Sequence, residues 1–177
     1  MTNFPEGLAR LFEQPESTPL FATLMSALAE VLPCDRCFLY QRDPVQGQGT
    51  ITHCYSKDGQ ADQWIGADWL EDSNAPQDPL MTIALRIPEA VFVNDVETAG
   101  ANIVNLEYER EVFRHRALIH APLYHDSLLI GILECSVFDA PRQWTEADRC
   151  IIANLQTLLA PRLKHSSQDS LAAIHHN

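Results

Sequence analysis

The chain has 177 residues, with 24 acidic against 12 basic side chains and a formal net charge of -12. That length suits one domain with a substantial core, and the charge repels nucleic-acid phosphates and anionic membrane surfaces, so neither is expected as a partner. No apolar run approaches the ~20 residues needed to cross a bilayer, and the opening MTNFPEGLARLFEQPES lacks the basic-then-apolar order of a secretory signal, which points to the cytoplasm.

In chain order, a short helical stretch after Pro5 reaches about Gln14 and is broken by Pro15-Glu16-Ser17-Thr18-Pro19. Leu20, Phe21, Leu24, Met25, Leu28, Val31 and Leu32 recur at three and four and predict a helix ended by Pro33. Cys34 to Asp43 is rich in strand formers and closes on Pro44, Gly47 and Gly49; Thr50 to Ser56 pairs back on it as a hairpin, with a turn at Lys57-Asp58-Gly59. From Gln60 to Glu89 the pattern loosens: Trp64, Ile65, Trp69 and Leu70 suggest a helical turn or two, and Asn74 to Pro79 a loop. Val91-Phe92-Val93 reads as a short strand, and Asn102 to His115 as a helix.

Two clear strands follow, Ala117 to Tyr124 and Leu128 to Val137, joined by His125-Asp126-Ser127. The second is apolar at nearly every position, as in a strand covered on both faces. Thr145-Glu146-Ala147-Asp148 resembles a capping box and opens a helix whose stripe is Ile151, Ile152, Leu155, Leu158, Leu159 and Leu163. Pro161 is expected to kink or stop it near Ala160, leaving a polar tail over 166–177. With no repeat or linker, the whole chain reads as a single domain with its core at about 20–163.

This order, an α+β arrangement in which helices pack on a central antiparallel sheet of five or six strands, resembles the GAF domain. The residues that carry the resemblance are Cys34 to Tyr40 after the first long helix, Val93-Asn94-Asp95-Val96, Ala121-Pro122-Leu123, Gly131-Ile132-Leu133 and Trp144 to Asp148. Ala140-Pro141-Arg142-Gln143-Trp144 is most similar to the bilin-binding GAF domains of phytochromes and cyanobacteriochromes. In those, the resemblance implies, a cysteine ahead of the Pro122 strand attaches the chromophore. The matching position falls near Asn105 and Leu106, and the accessory-cysteine motif of one subgroup matches Asp78-Pro79-Leu80-Met81, again without a thiol. No covalent bilin is therefore expected, and the cofactor, if any, is left unnamed.

Thiol and metal chemistry is weighed on five scattered cysteines. Cys34-x-x-Cys37 has the spacing of a redox or zinc pair, but no second close pair exists and residues three apart on a strand face opposite ways, so all five are read as core and no metal is expected. The sulfoxide-reductase branch of the family needs cysteines in the pocket loops, and the stretches from Lys57 to Glu89 and from Asn94 to Arg116 contain none. Nor is there a cyclic-nucleotide signature, a nucleophile elbow, a phosphate loop or a His-Glu-x-x-His. No catalytic residue is assigned, and no residue around the pocket is expected to make or break bonds.

Through the resemblance, the candidate ligand-binding residues are Trp64, Trp69, Phe92, Asp95, Tyr108, Phe113, His120 and Ser136, whose rings suit a planar, partly apolar guest or simply fill the space. The expected function is a non-catalytic sensory module of signal transduction that binds a small molecule non-covalently, dimeric through its terminal helices. The alternatives are a ligand-free adaptor docking on a kinase or response regulator of a two-component system, and a thiol- or metal-dependent enzyme.

Overall fold

The computed structural model describes residues 4–14, 19–70 and 77–174, with backbone alone at 69–70 and 164–174. Helix α1 (Glu6–Phe12) and helix α2 (Leu20–Val31) lead into the hairpin of β1 (Arg36–Asp43) and β2 (Gln48–Ser56). A 3-10 turn (Ala61–Gln63) and an edge strand β3 (Asp68–Leu70) stand where one or two helical turns are expected. A helix not foreseen in the sequence, α3 (Pro79–Ala84), starts where the Asp78 carboxylate accepts the Met81 amide proton at 3.0 Å, with Pro79 in the first turn. Next come β4 (Val91–Val93), α4 (Leu106–Tyr108), β5 (Ala117–His125), β6 (Leu128–Val137) and α5 (Glu146–Ile174).

The six strands form one antiparallel sheet in the order β3-β2-β1-β6-β5-β4. The β5–β6 hairpin turns on Asp126 (φ 49°) and Ser127 (φ 65°), the two positive φ values that a two-residue loop matching the strand twist demands. Strand alternation then divides the side chains. Cys37 and Leu39 of β1, Ile119 and Leu123 of β5, and Leu133 and Cys135 of β6 join the core under α1, α2 and α5. On the opposite face Phe38, Tyr40 and Ile132 pack beneath α3. Gly131 is required where it stands: a Cβ there would lie 2.6 Å from the Tyr40 carbonyl oxygen and 2.7 Å from Leu163 of α5.

The capping box is present: Thr145 N–H donates to Asp148 Oδ2 (2.9 Å) and Asp148 N–H to Thr145 Oγ1 (3.2 Å). The loop before it is tied to β4, since Asn94 Oδ1 accepts the Trp144 amide proton (3.1 Å) and the Trp144 indole donates to the Val93 carbonyl (3.0 Å). Contrary to expectation, α5 does not stop at Pro161 but runs to Ile174, so most of the predicted polar tail has helical backbone. The proline lies on the exposed side, while Leu155, Leu159 and Leu163, before and after it, stay buried in the core against the sheet.

Candidate functional site

On the α3 side the sheet bears a cavity of about 310 Å³, near the lower end of the ~300–1,000 Å³ usual for small-molecule sites. Its apolar wall is Phe38, Tyr40 and Ile51 from the β1–β2 hairpin, Ile132 from β6, Trp64, Leu80 and Met81 from the covering segments, and Tyr108, Val112 and Phe113 from the stretch before β5. Asp78, Glu109, His115, His120 and Glu134 supply ionisable groups.

The segment ahead of β5 shapes this wall. The expected helix over Asn102 to His115 is only the α4 turn, capped by the Asn105 side chain on Tyr108 N–H (3.3 Å), followed by a wider π turn (Glu109–Phe113). One long-range and one local bond hold it in that form. Arg36 Nη2 donates to the Phe113 carbonyl (2.9 Å), and His115 Nδ1 meets Glu109 Oε2 (2.6 Å). Arg114 leaves the turn at φ 60°. The result is an aromatic stack: Trp64 on Phe113 (centroids 5.6 Å), Phe113 on His115 (5.1 Å), and Tyr108 edge-on to Phe113 (5.5 Å). The Arg36 guanidinium lies over Trp64, 4.0 Å from the ring centroid.

The charges interlock. Arg36 Nη2 is 2.6 Å from His115 Nε2, and because a guanidinium only donates, Nε2 accepts and Nδ1 carries the proton given to Glu109. Glu134 Oε2 bonds His120 Nδ1 at 2.7 Å, while its Oε1, 3.3 Å from His115 Nε2, has no hydrogen-bond partner; His120 Nε2 is likewise buried without one. Burial disfavours a charged His120, yet the Glu134 carboxylate, helped by Asp78 and Glu109, outweighs it and raises the imidazole pKa above its ordinary value. Burial raises the Asp78 carboxyl and lowers the Arg36 guanidinium.

Of the residues named from sequence, Trp64, Tyr108, Phe113 and His120 line the cavity together. Trp69 lies on β3, its side chain outside the described residues. Three others are elsewhere. Phe92 faces the opposite side, under the Arg149 guanidinium of α5 (4.2 Å), because alternation along β4 turns its neighbours Val91 and Val93 toward the α3 side instead. Asp95 is committed to structure, pairing with Arg116 (2.8 Å) and capping the 3-10 turn Val96–Thr98. Ser136 is fully buried opposite Arg36, its hydroxyl unpartnered, and does not reach the cavity wall.

Sequence reasoning missed Glu134, Glu109, His115, Asp78 and Arg36. Glu134 left a readable signal, a single carboxylate inside Leu-Leu-Ile-Gly-Ile-Leu-Glu-Cys-Ser-Val, since a charge on a strand buried on both faces needs a partner. Two imidazoles, from His115 and His120, and four carboxyls, from Asp68, Asp78, Glu109 and Glu134, line the cavity. Among the described residues that line the cavity there is no cysteine, serine, threonine or lysine. One further expectation meets the same geometry: Cys34 precedes β1, so the alternation argument that kept it from Cys37 does not apply to it.

The chain belongs to the GAF domain family, whose model matches residues 17–163, and this fold is generally a regulatory one. Similar solved structures include the GAF domain of a phosphoenolpyruvate-protein phosphotransferase from Coxiella burnetii (18% identity, TM-score 0.70, covering 93% of this chain and 94% of that one). The blue-light-absorbing PixJ GAF domain of Thermosynechococcus elongatus is also similar (24%, 0.60, 98% of each chain). So is the free methionine-R-sulfoxide reductase of Neisseria meningitidis, solved with its substrate (16%, 0.67, 92% and 87%). At these identities the likeness is one of fold. No curated protein sequence matches significantly. Among the described residues no helix is long and apolar enough to cross a membrane.

Proposed function

We propose that this GAF domain is a non-catalytic sensor whose cavity holds one small, planar, partly apolar molecule without a covalent bond. The observation that carries the reading is a pair of unmet polar atoms in an aromatic-walled cavity: His120 Nε2 and Glu134 Oε1. A buried polar atom without a partner costs ~1–3 kcal/mol, and a guest that supplies one recovers it. With His120 protonated, Nε2 donates and Glu134 Oε1 accepts, so the matching guest edge pairs a carbonyl-like acceptor with an N–H donor, as in a heteroaromatic lactam. The rings of Trp64 and Phe113 suit its flat faces.

Dimerisation through α5 belongs to the same reading. Leu155, Leu159 and Leu163 are consumed by the sheet, but Leu158 is exposed. Sedimentation of wild type and Leu158→Glu tests it, a dimer in the first and a monomer in the second being expected.

The ligand test is native mass spectrometry of the purified protein, followed by thermal-shift screening of a heteroaromatic lactam set. A retained or stabilising compound that loses its effect in Trp64→Ala and in His120→Leu is expected. A protein that arrives empty and is stabilised by none of the set, or a compound that binds both variants as well as wild type, defeats the reading.

A further inference from the structure

On the helix-covered face, away from the cavity, three thiols converge from three separate points of the chain. Cys37 on β1 and Cys135 on β6 are direct partners in the strand register. Cys34 reaches them from the turn after α2, where its amide still bonds the Ala29 carbonyl (2.9 Å). The three sulfur atoms all lie within 4.8 Å of one another, and the residues are 7%, 0% and 0% exposed. We propose that Cys34, Cys37 and Cys135 form a three-sulfur site for one copper(I) ion.

The chemistry selects a soft ion of low coordination number. Thiolates favour copper(I), zinc and iron–sulfur clusters, but zinc takes four ligands in closed structural sites. Among the described residues this group contains no fourth cysteine, histidine or carboxylate. Three sulfurs around a planar ion with bonds of ~2.3 Å would stand about 4 Å apart, a spacing of the order already present.

One basic group stands beside the site. Arg142 places Nη1 4.0 Å from Cys34 Sγ and is fixed by the Pro33 carbonyl (2.9 Å) and by Asp148 (3.4 Å). A guanidinium there offsets part of the negative charge that metal-bound thiolates bring into an apolar core.

The test is anaerobic titration of the reduced protein with copper(I) against a chromogenic copper(I) chelator, with X-ray absorption on the product. The expected result is one ion per chain with three sulfur neighbours. Cys34→Ser, at the rim and checked by circular dichroism to be folded, is expected to weaken binding by more than the ~10–100-fold that outer-sphere changes cost, whereas the double variant Cys54→Ser/Cys150→Ser keeps it. Failure to compete with the chelator, binding that survives Cys34→Ser, binding lost in the double variant, or zinc outcompeting copper(I) would each overturn the assignment.

Discussion

On the face under α1, α2 and α5, Leu28, Leu133 and Ile152 are fully buried among other apolar side chains. On the other face the same strands carry Arg36, His120 and Glu134, each no more than 5% exposed. The first face gains stability in proportion to the area it removes from water. The second must offset the desolvation of every charge by pairing it, and does so incompletely, leaving His120 Nε2 and Glu134 Oε1 unmatched beside the cavity. The difference teaches where this domain stores stability and where it leaves buried polar atoms unpaired beside a cavity.

The sharpest way to break the comparison is Glu134→Ala. Removing one partner of a buried ionic group strands the others and is expected to cost ~3–5 kcal/mol, whereas replacing His120 and Glu134 together with apolar residues of similar volume should recover much of it. Urea denaturation of the single and double variants decides; equal losses in both would mean the face behaves as ordinary core. Ile152→Ala, on the helix face, should lose ~2–5 kcal/mol through transfer and cavity terms, with the m-value unchanged and no effect on ligand or copper binding. Gly131→Ala should cost about 1–3 kcal/mol by overpacking, because the new methyl meets the Tyr40 carbonyl rather than the end of a flexible side chain alone. A melting temperature equal to wild type would show that the β1–β6 pairing and α5 can both give way at this position.

The smallest effect expected is on pH. His120 has its folded pKa raised, so its contribution is whole below the unfolded value of ~6.5 and is lost as pH rises through the folded value. Asp78, raised by burial, has the same sign over a more acidic range, losing stability as pH rises above its unfolded value. Cys34, its thiol lowered to about 5 by hydrogen bonds from Cys135 and Cys37, has the opposite sign over the same window, so the imidazole is read from a difference: between pH 6 and 9 the urea midpoint of wild type should lose ground against that of His120→Gln. A difference that stays constant or grows in favour of wild type would contradict a raised His120 pKa.

Much of the scaffold was legible because its signals are local. The three- and four-residue spacing of Leu24, Leu28 and their neighbours, the Asp126-Ser127 turn and the Thr145/Asp148 cap each depend on residues within a few positions of one another. Four of the eight named site residues also reached the cavity, since the rings of Trp64, Tyr108 and Phe113 and the His120 imidazole lie on segments that cross it.

What sequence could not reveal is what depends on contacts far along the chain. Phe92 turned away because the register of β4 on β5 sets its side, and α5 crossed Pro161 because leucines on both sides of the proline were already anchored to the sheet. The π turn exists through Arg36, which captures the Phe113 carbonyl from 77 positions away. Composition and periodicity thus determined which segments become helix or strand, a matter of neighbouring residues. Only the tertiary structure decided which charges and thiols meet, because strand pairing brings Cys37 to Cys135 and Arg36 to His115, and no local pattern encodes distance in space.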